Sequence, residues 1–191
     1  DCVYVDLNGD GKIDSNDASR ELSHTDDPEY VLGVNLGFSW KNWDVSTRWT
    51  GAFAVSRQLS GIFMQPFHSA ATDNQGGLLM VQYDNTWTED NPDPNALYPR
   101  ATWANKAQNY VGSTLFERDA SYLRLKSLDI TYHFKFAFMK KLKMNDLALS
   151  FSSYNLLTFT GFDFGDPESR VTDAPAYPLT KTYSFSLKVG F

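Results

Sequence analysis

The sequence has a single cysteine, three histidines and no apolar run long enough to form a membrane helix. Cys2 cannot close an internal disulfide and reads as inert or as part of something upstream. His24, His68 and His133 stand far apart, so each reads as a solvated or pore-facing residue and not as a ligand. There is no Cys pair, no H-E-x-x-H, no phosphate loop and no G-x-S-x-G elbow. The acidic pairs Asp26-Asp27 and Glu89-Asp90 fall in turn-rich segments, where two carboxylates are not set across a cleft as glycosidic chemistry requires. The expectation is a protein that is not an enzyme. A bilayer-spanning helix needs roughly 18 to 20 apolar residues in a row, and their lack excludes a helical membrane protein. Basic residues are outnumbered, 17 Lys and Arg against 23 Asp and Glu, and a formal net charge of -6 offers no basic face to nucleic acid. The first residue is Asp1, with no charged-then-apolar leader after it, and the expectation is a piece of a longer protein or one whose targeting segment has been removed.

What the chain does have is aromatic side chains, 15% of residues against 21% charged, with 42% hydrophobic and a mean hydropathy of -0.40. Such a chain can bury a core and is not disordered. Its first informative segment runs from Asp6 to Asp17. Asp6, Asn8, Asp10, Asp14 and Asp17 place side-chain oxygens at positions 1, 3, 5, 9 and 12 of a loop, Gly11 stands at position 6, and Ile13 is the apolar residue at position 8. Calcium takes six to eight hard oxygen ligands, the glycine allows the sharp turn, and the Lys12 carbonyl would serve at position 7. The last ligand is Asp17 where a sensor EF-hand has a bidentate Glu, so the loop resembles the dockerin-type variant, and a structural Ca2+ site is expected. The alternative is an acidic turn that its Gly and Asn residues would favour without metal.

From Val31 onward the pattern has period two. Leu32, Val34, Leu36, Phe38 and Trp40 alternate with Gly33, Asn35, Gly37 and Ser39; after a short turn, Trp43, Val45, Thr47 and Trp49 alternate with Asp44, Ser46 and Arg48. The same alternation returns in Leu128 to Phe134, in Leu147 to Ser152 and in Tyr183 to Phe191, which gives strands at about 31–40, 43–53, 121–134, 147–158 and 181–191. Leu123 and Leu125 fall on the opposite parity to Leu128, which suggests a bulge or a portion lying above the membrane. Strands of about ten residues with aromatics near their ends suit a membrane-spanning barrel. The alternative for such strands is a half-solvated sheet in a soluble sandwich.

The fold class expected is therefore all-β: an antiparallel transmembrane β-barrel segment with long extracellular loops. Residues 1–30 form one outer loop carrying the calcium-type motif, 31–191 carry the strands, and 54–120 make a large loop, poorly periodic and rich in turn formers. Its aromatics Trp87, Tyr98 and Trp103 could stack on a ligand or build a small loop core. The short and long turns alternate so that the C-terminus ends on the side of the short turns, the periplasmic side in bacterial barrels. Five strands cannot close a barrel, so the chain is expected to be the end of something larger.

Several stretches together resemble the C-terminal end of SusC/RagA-type TonB-dependent outer-membrane transporters of the Bacteroidetes: Asp6 to Asp14 followed by Pro28, Trp87 to Pro92 with Tyr98-Pro99-Arg100, Ala120 to Lys126, Asn155 to Thr160, and the tail ending in Phe191. The resemblance implies the last five strands of a 22-stranded barrel with a plug. It implies import of oligosaccharides or peptides beneath a SusD-like lipoprotein, with TonB engaged through a part absent from this sequence. It also implies that Tyr183, Phe185, Leu187, Val189 and Phe191 carry the signal read by the barrel-assembly machinery. The rival reading is a secreted, calcium-stabilised β-sandwich that binds carbohydrate through Trp87, Tyr98 or Trp103.

Overall fold

In a computed structural model, residues 1–67, 77–101, 106–170, 177 and 179–191 are described. Trp103 and His68 lie outside them. The chain divides into two compact units. One comprises Asp1–Pro28, Ala54–Ala120 and Phe162–Ala176, and the other comprises Glu29–Phe53, Ser121–Gly161 and Tyr177–Phe191.

The second unit is a five-stranded sheet. Its strands are β1 (Tyr30–Trp40), β2 (Trp43–Phe53), β5 (Tyr122–His133), β6 (Asp146–Thr160) and β7 (Thr182–Gly190), each paired antiparallel to the next in the order β1-β2-β5-β6-β7. The intervening labels belong to the short strands β3 (Ser56–Gln58) and β4 (Glu117–Asp119), which pair with each other in the first unit.

Directly opposed residues share a face, so the register sorts the side chains. One face carries Val34, Phe38, Val45, Ile130, Phe151, Phe185 and Leu187. The other is polar and hydrogen-bonded across the strands. There the Ser39 hydroxyl donates to Asp44 at 2.6 Å, Arg48 Nε donates to Asn35 Oδ1 at 3.2 Å, and the Ser152 hydroxyl donates to Asp129 at 2.6 Å. The Thr131 and Ser150 hydroxyls lie 2.8 Å apart, and His133 Nε2 meets Asp44 at 3.0 Å.

The register breaks in one zone. Arg48 pairs with Ser127 but Trp49 pairs with Leu125, so Lys126 is skipped; on the other side Leu125 pairs with Leu157 and Ser127 with Tyr154. An extra residue reverses the parity of everything beyond it. That is why Leu123 and Leu125, odd in number, share the face of Leu128 and Ile130, and a β-bulge keeps the apolar face continuous. Asn155 takes the left-handed conformation at this step, φ 53°. Asn tolerates that region better than a β-branched residue would.

The first unit is built largely of loops around a small core of Val55, Leu59, Tyr98, Phe116, Ala120 and Phe162. Short helices, α1 (Gly61–Met64), α2 (Met80–Asn85) and α3 (Lys106–Asn109), punctuate it, and α4 (Phe138–Lys141) belongs to the sheet unit. Buried polar groups tie the loops together. Gln82 donates to the Ile62 carbonyl at 2.9 Å while its own amide oxygen accepts from Leu79 N–H at 3.0 Å. Arg57, buried, donates to the carbonyls of Asp26 at 2.5 Å and Ser169 at 3.3 Å. Residues 1–28 thus pack as part of this unit and do not stand apart as an independent loop.

Candidate functional site

The Asp6–Asp17 loop is held by its own carboxylates. Asp6 accepts Gly9 N–H at 2.7 Å on one oxygen and Gly11 N–H at 2.8 Å on the other. Gly9 and Gly11 have φ of 75° and 78°, the left-handed region that a residue with a Cβ resists, so the motif's glycines are a backbone requirement. Asn8 and Asp10 each accept the amide two residues on, at 2.9 Å and 2.8 Å. Asp14 caps the 3-10 turn Ser15–Asp17 by accepting Asn16 N–H at 2.8 Å. Asp17 clasps the two ends: one oxygen accepts Leu7 N–H at 2.9 Å and the other Asp14 N–H at 2.8 Å. The hydrogen bond from the Asp14 amide, followed by those from Leu7 and Asn8, holds the Asp17 carboxyl below its ordinary range.

The expected ligands Asp6, Asn8, Asp10, Lys12, Asp14 and Asp17 therefore lie in one loop, with Asn8, Asp10, Lys12 and Asp14 exposed and Asp6 and Asp17 partly buried. In kind and order they suit calcium. In arrangement they are turned onto amides, and among the described residues no group of three or more His, Cys, Asp or Glu side chains is gathered to hold a metal.

The aromatic pair of the large loop separates into two roles. Tyr98 has no exposed surface. Its ring lies 6.4 Å from that of Phe116, its hydroxyl donates to the Phe63 carbonyl at 2.8 Å, and burial pushes its pKa up to about 12. Its backbone bonds to Trp87 N–H at 3.0 Å and to the Asn85 carbonyl at 3.1 Å, so Trp87 and Tyr98 are neighbours through a two-residue bridge. Trp87 stays partly exposed on a cleft of about 450 Å3 that Tyr4, Tyr98 and Arg100 also line. Tyr98 thus serves as the core behind this cleft, and Trp87 is the one of the two rings left partly exposed on it.

One feature of this unit left no mark in the sequence pattern. The side-chain amides of Gln108 and Asn109 bind the first four residues: Asn109 Oδ1 accepts Cys2 N–H at 3.0 Å, Asn109 Nδ2 donates to Asp1 at 3.0 Å, and Gln108 Nε2 donates to the Cys2 carbonyl at 3.2 Å. The Tyr4 hydroxyl donates to the Gln108 carbonyl at 2.6 Å. Partial burial raises the Cys2 thiol, which keeps it protonated and poorly nucleophilic.

In β7, Tyr183, Phe185, Leu187 and Val189 face Ser153, Phe151, Leu149 and Leu147 of β6, and the Phe185 ring lies tilted 5.1 Å from that of Phe151. Their face is open: Phe185 is 74% exposed and Leu187 65%, as is Phe38 at 64% on β1. Phe191 follows the strand, also exposed.

These features define an antiparallel β protein whose large sheet has one exposed apolar face and one cross-linked polar face, joined to a loop-built unit. The likeness to known proteins is particular. Over 202 aligned residues the chain is 24% identical to the TonB-dependent receptor P3 of Formosa agariphila, covering 99% of this chain and 19% of that protein. Its fold is similar to chains of the RagAB peptide importer: in the closed-closed state the TM-score is 0.64 at 22% identity over 95% of this chain and 20% of that one. In the open-open state the TM-score is 0.59 at 23% identity, over 84% and 17%. No protein-family model matches the chain. The resemblance to TonB-dependent transporters of the SusC/RagA type, read from separate motifs, therefore extends through the whole chain, which spans about a fifth of the length of the relatives it matches. Those relatives are a receptor and an importer, not enzymes, in agreement with the absence of catalytic motifs.

Proposed function

We propose that this chain is the C-terminal part of the wall of a TonB-dependent outer-membrane importer, the last five strands of a 22-stranded barrel, with its short turns and C-terminus in the periplasm. The observation that carries this reading is the exposed apolar face of the five-stranded sheet, backed by a polar face of hydroxyl and carboxylate pairs. A soluble sandwich would cover that apolar face. A barrel wall turns it to lipid and the polar face to the lumen. The open edges of β1 and β7 would pair with the rest of the barrel, which would also supply the plug and the TonB contact. Similarity to a TonB-dependent receptor supports the transport role. The RagAB structures are of a peptide importer, which supports peptides as cargo; oligosaccharides are the other class we put forward, with a SusD-like lipoprotein as partner. Trp87, with Tyr98 behind it, and Trp103 by its place in the same loop, would contact cargo or partner. The test is extraction of the native protein from its membrane: recovery in the detergent-soluble outer-membrane fraction with the larger barrel is expected, and a soluble monomer would overturn the reading.

We further propose that the Asp6–Asp17 loop binds calcium, held by Asp6, Asn8, Asp10, Asp14 and Asp17 with the Lys12 carbonyl. What supports this is the donor set and the spare acceptor capacity of each carboxylate beyond its amide bonds. The ion would supply charge neutralisation that stiffens an exposed loop. Titration calorimetry on the intact transporter should give heat at millimolar calcium, abolished by Asp10→Ala with barrel stability unchanged; no heat for the unaltered protein would remove the site.

A further inference from the structure

At the short-turn end of the sheet unit, the Phe134–Asn145 connection holds Lys135, Lys140, Lys141 and Lys143 within nine residues and no Asp or Glu between Phe134 and Met144. Lys135, Lys141 and Lys143 are exposed, and none of them, nor Lys41 in the neighbouring turn, takes part in an ion pair among the described residues. The segment is nonetheless well anchored. Buried Met139 accepts Phe136 N–H on its sulfur at 3.4 Å, its carbonyl accepts Met144 N–H at 2.9 Å, and Phe134 N–H donates to the Leu147 carbonyl at 2.8 Å.

Beside these lysines runs an unbroken series of rings, Trp43 to Tyr132 at 4.7 Å, Tyr132 to Phe134 at 4.9 Å and Phe134 to Phe136 at 5.3 Å, with Lys41 Nζ 4.5 Å over the Trp40 ring. Phe136 and Leu142 are exposed apolar side chains within the same basic connection. A cleft of about 630 Å3 opens there, lined by Lys41, Phe134, Lys135, Phe136 and Met139; its one lining carboxylate, Asp146, is held by Lys188 at 2.8 Å. Lys41 lies over the Trp40 ring and Lys135 stands between the two stacked rings Phe134 and Phe136, and basic and apolar side chains so mixed have the complementarity of a lipid–water boundary carrying negative charge.

We propose that the Lys41–Asn42 turn and the Phe134–Asn145 connection bind the phosphodiester headgroup of an anionic phospholipid, with its acyl chains against the apolar face of β2 and β5. The lysines take the phosphate as point charges and keep their stems on the aromatic belt. The inference rests on the reading of this sheet as barrel wall with the short turns in the periplasm, so the lipid belongs to the inner leaflet.

The experiment uses the full transporter in nanodiscs of phosphatidylcholine doped with phosphatidylglycerol, with retained lipid measured by native mass spectrometry. Wild type should retain phosphatidylglycerol preferentially. The triple variant Lys135→Gln/Lys141→Gln/Lys143→Gln should lose about a hundredfold of that preference, at about fivefold per lysine, and the matching Lys→Arg triple variant should keep it. Equal retention of the two lipids by folded wild type, an unaltered preference in the Gln variant, or full replacement of the lipid's stabilising effect by inorganic phosphate would overturn the proposal. Labelling of Lys143→Cys in a Cys2→Ser background, in whole cells, by a membrane-impermeant maleimide separates the two levels: labelling at position 143 from outside overturns the orientation and the inference together. Protection from outside with no lipid preference overturns the inference alone.

Discussion

Asp17 reaches back ten positions to Leu7 and three to Asp14, accepting Leu7 N–H and Asp14 N–H on its two oxygens. Only the ionised carboxylate can accept both, so its folded pKa lies below the ordinary value of 3.8. A depressed carboxylate stabilises the folded loop fully above its ordinary pKa, and that contribution is lost as pH falls through the lower folded value. The loop should therefore keep its amides at positions 7 and 14 protected at neutral pH and release them only as pH falls well below 3.8. Hydrogen exchange at those two amides as a function of pH measures this; Asp17→Asn should show weak protection at every pH. At this scale the sequence was informative about donor type and spacing, because both are local. It carried no sign that Tyr98 would be fully buried while Trp87 stays at the cleft, since the burial of Tyr98 comes from the distant Phe63 and Phe116.

The strands show how far a periodic pattern reaches. Side chains alternate across a strand by geometry, so an apolar residue at every second position marks a two-faced strand without reference to any partner. The parity conflict between Leu125 and Leu128 likewise marked a bulge, and the register step around Lys126 is where it lies. What the pattern did not mark is the residue that absorbs the turn of the backbone on the facing strand. Asn155 does so at φ 53° and also donates to the Thr180 carbonyl at 3.2 Å. Asn155→Val should destabilise by about 1 to 2 kcal/mol, because a β-branched residue is strained in the left-handed region, whereas Asn155→Gly should be nearly neutral. The temperature at which the full barrel loses its heat-modifiable gel mobility gives the comparison; equal shifts for Val and Gly would mean the conformation is not the cause.

For the molecule as a whole, the consequential property is that, among the described residues, much of the apolar face of the sheet is exposed and neither edge strand has an outer partner. A barrel wall in lipid resolves both, the face by acyl chains and the edges by further strands. If β7 with its terminal aromatic is the assembly signal, deletion of Phe191 should lower the amount of transporter in the outer membrane while leaving synthesis unchanged. Quantitative immunoblotting of membrane fractions tests it, and equal outer-membrane levels would refute it. The effect should exceed that of Phe185→Leu, which keeps an apolar side chain on the same face of the strand.

By itself the sequence determined the all-β character of the large sheet, the two faces of its strands, the bulge and the loop that could serve calcium, because each follows from residues within a dozen positions of one another. The tertiary structure decided what joins distant segments: the clasp of Gln108 and Asn109 on residues 1–4, the anchoring of Arg57 by Asp26 and Ser169, and the pairing of β2 with β5 across the large loop. Such contacts depend on loop closure and on which surfaces meet once the chain has collapsed. A single polar side chain such as Asn109 looks the same in the sequence whether it faces water or holds a segment more than a hundred residues away, so its role became readable only in three dimensions.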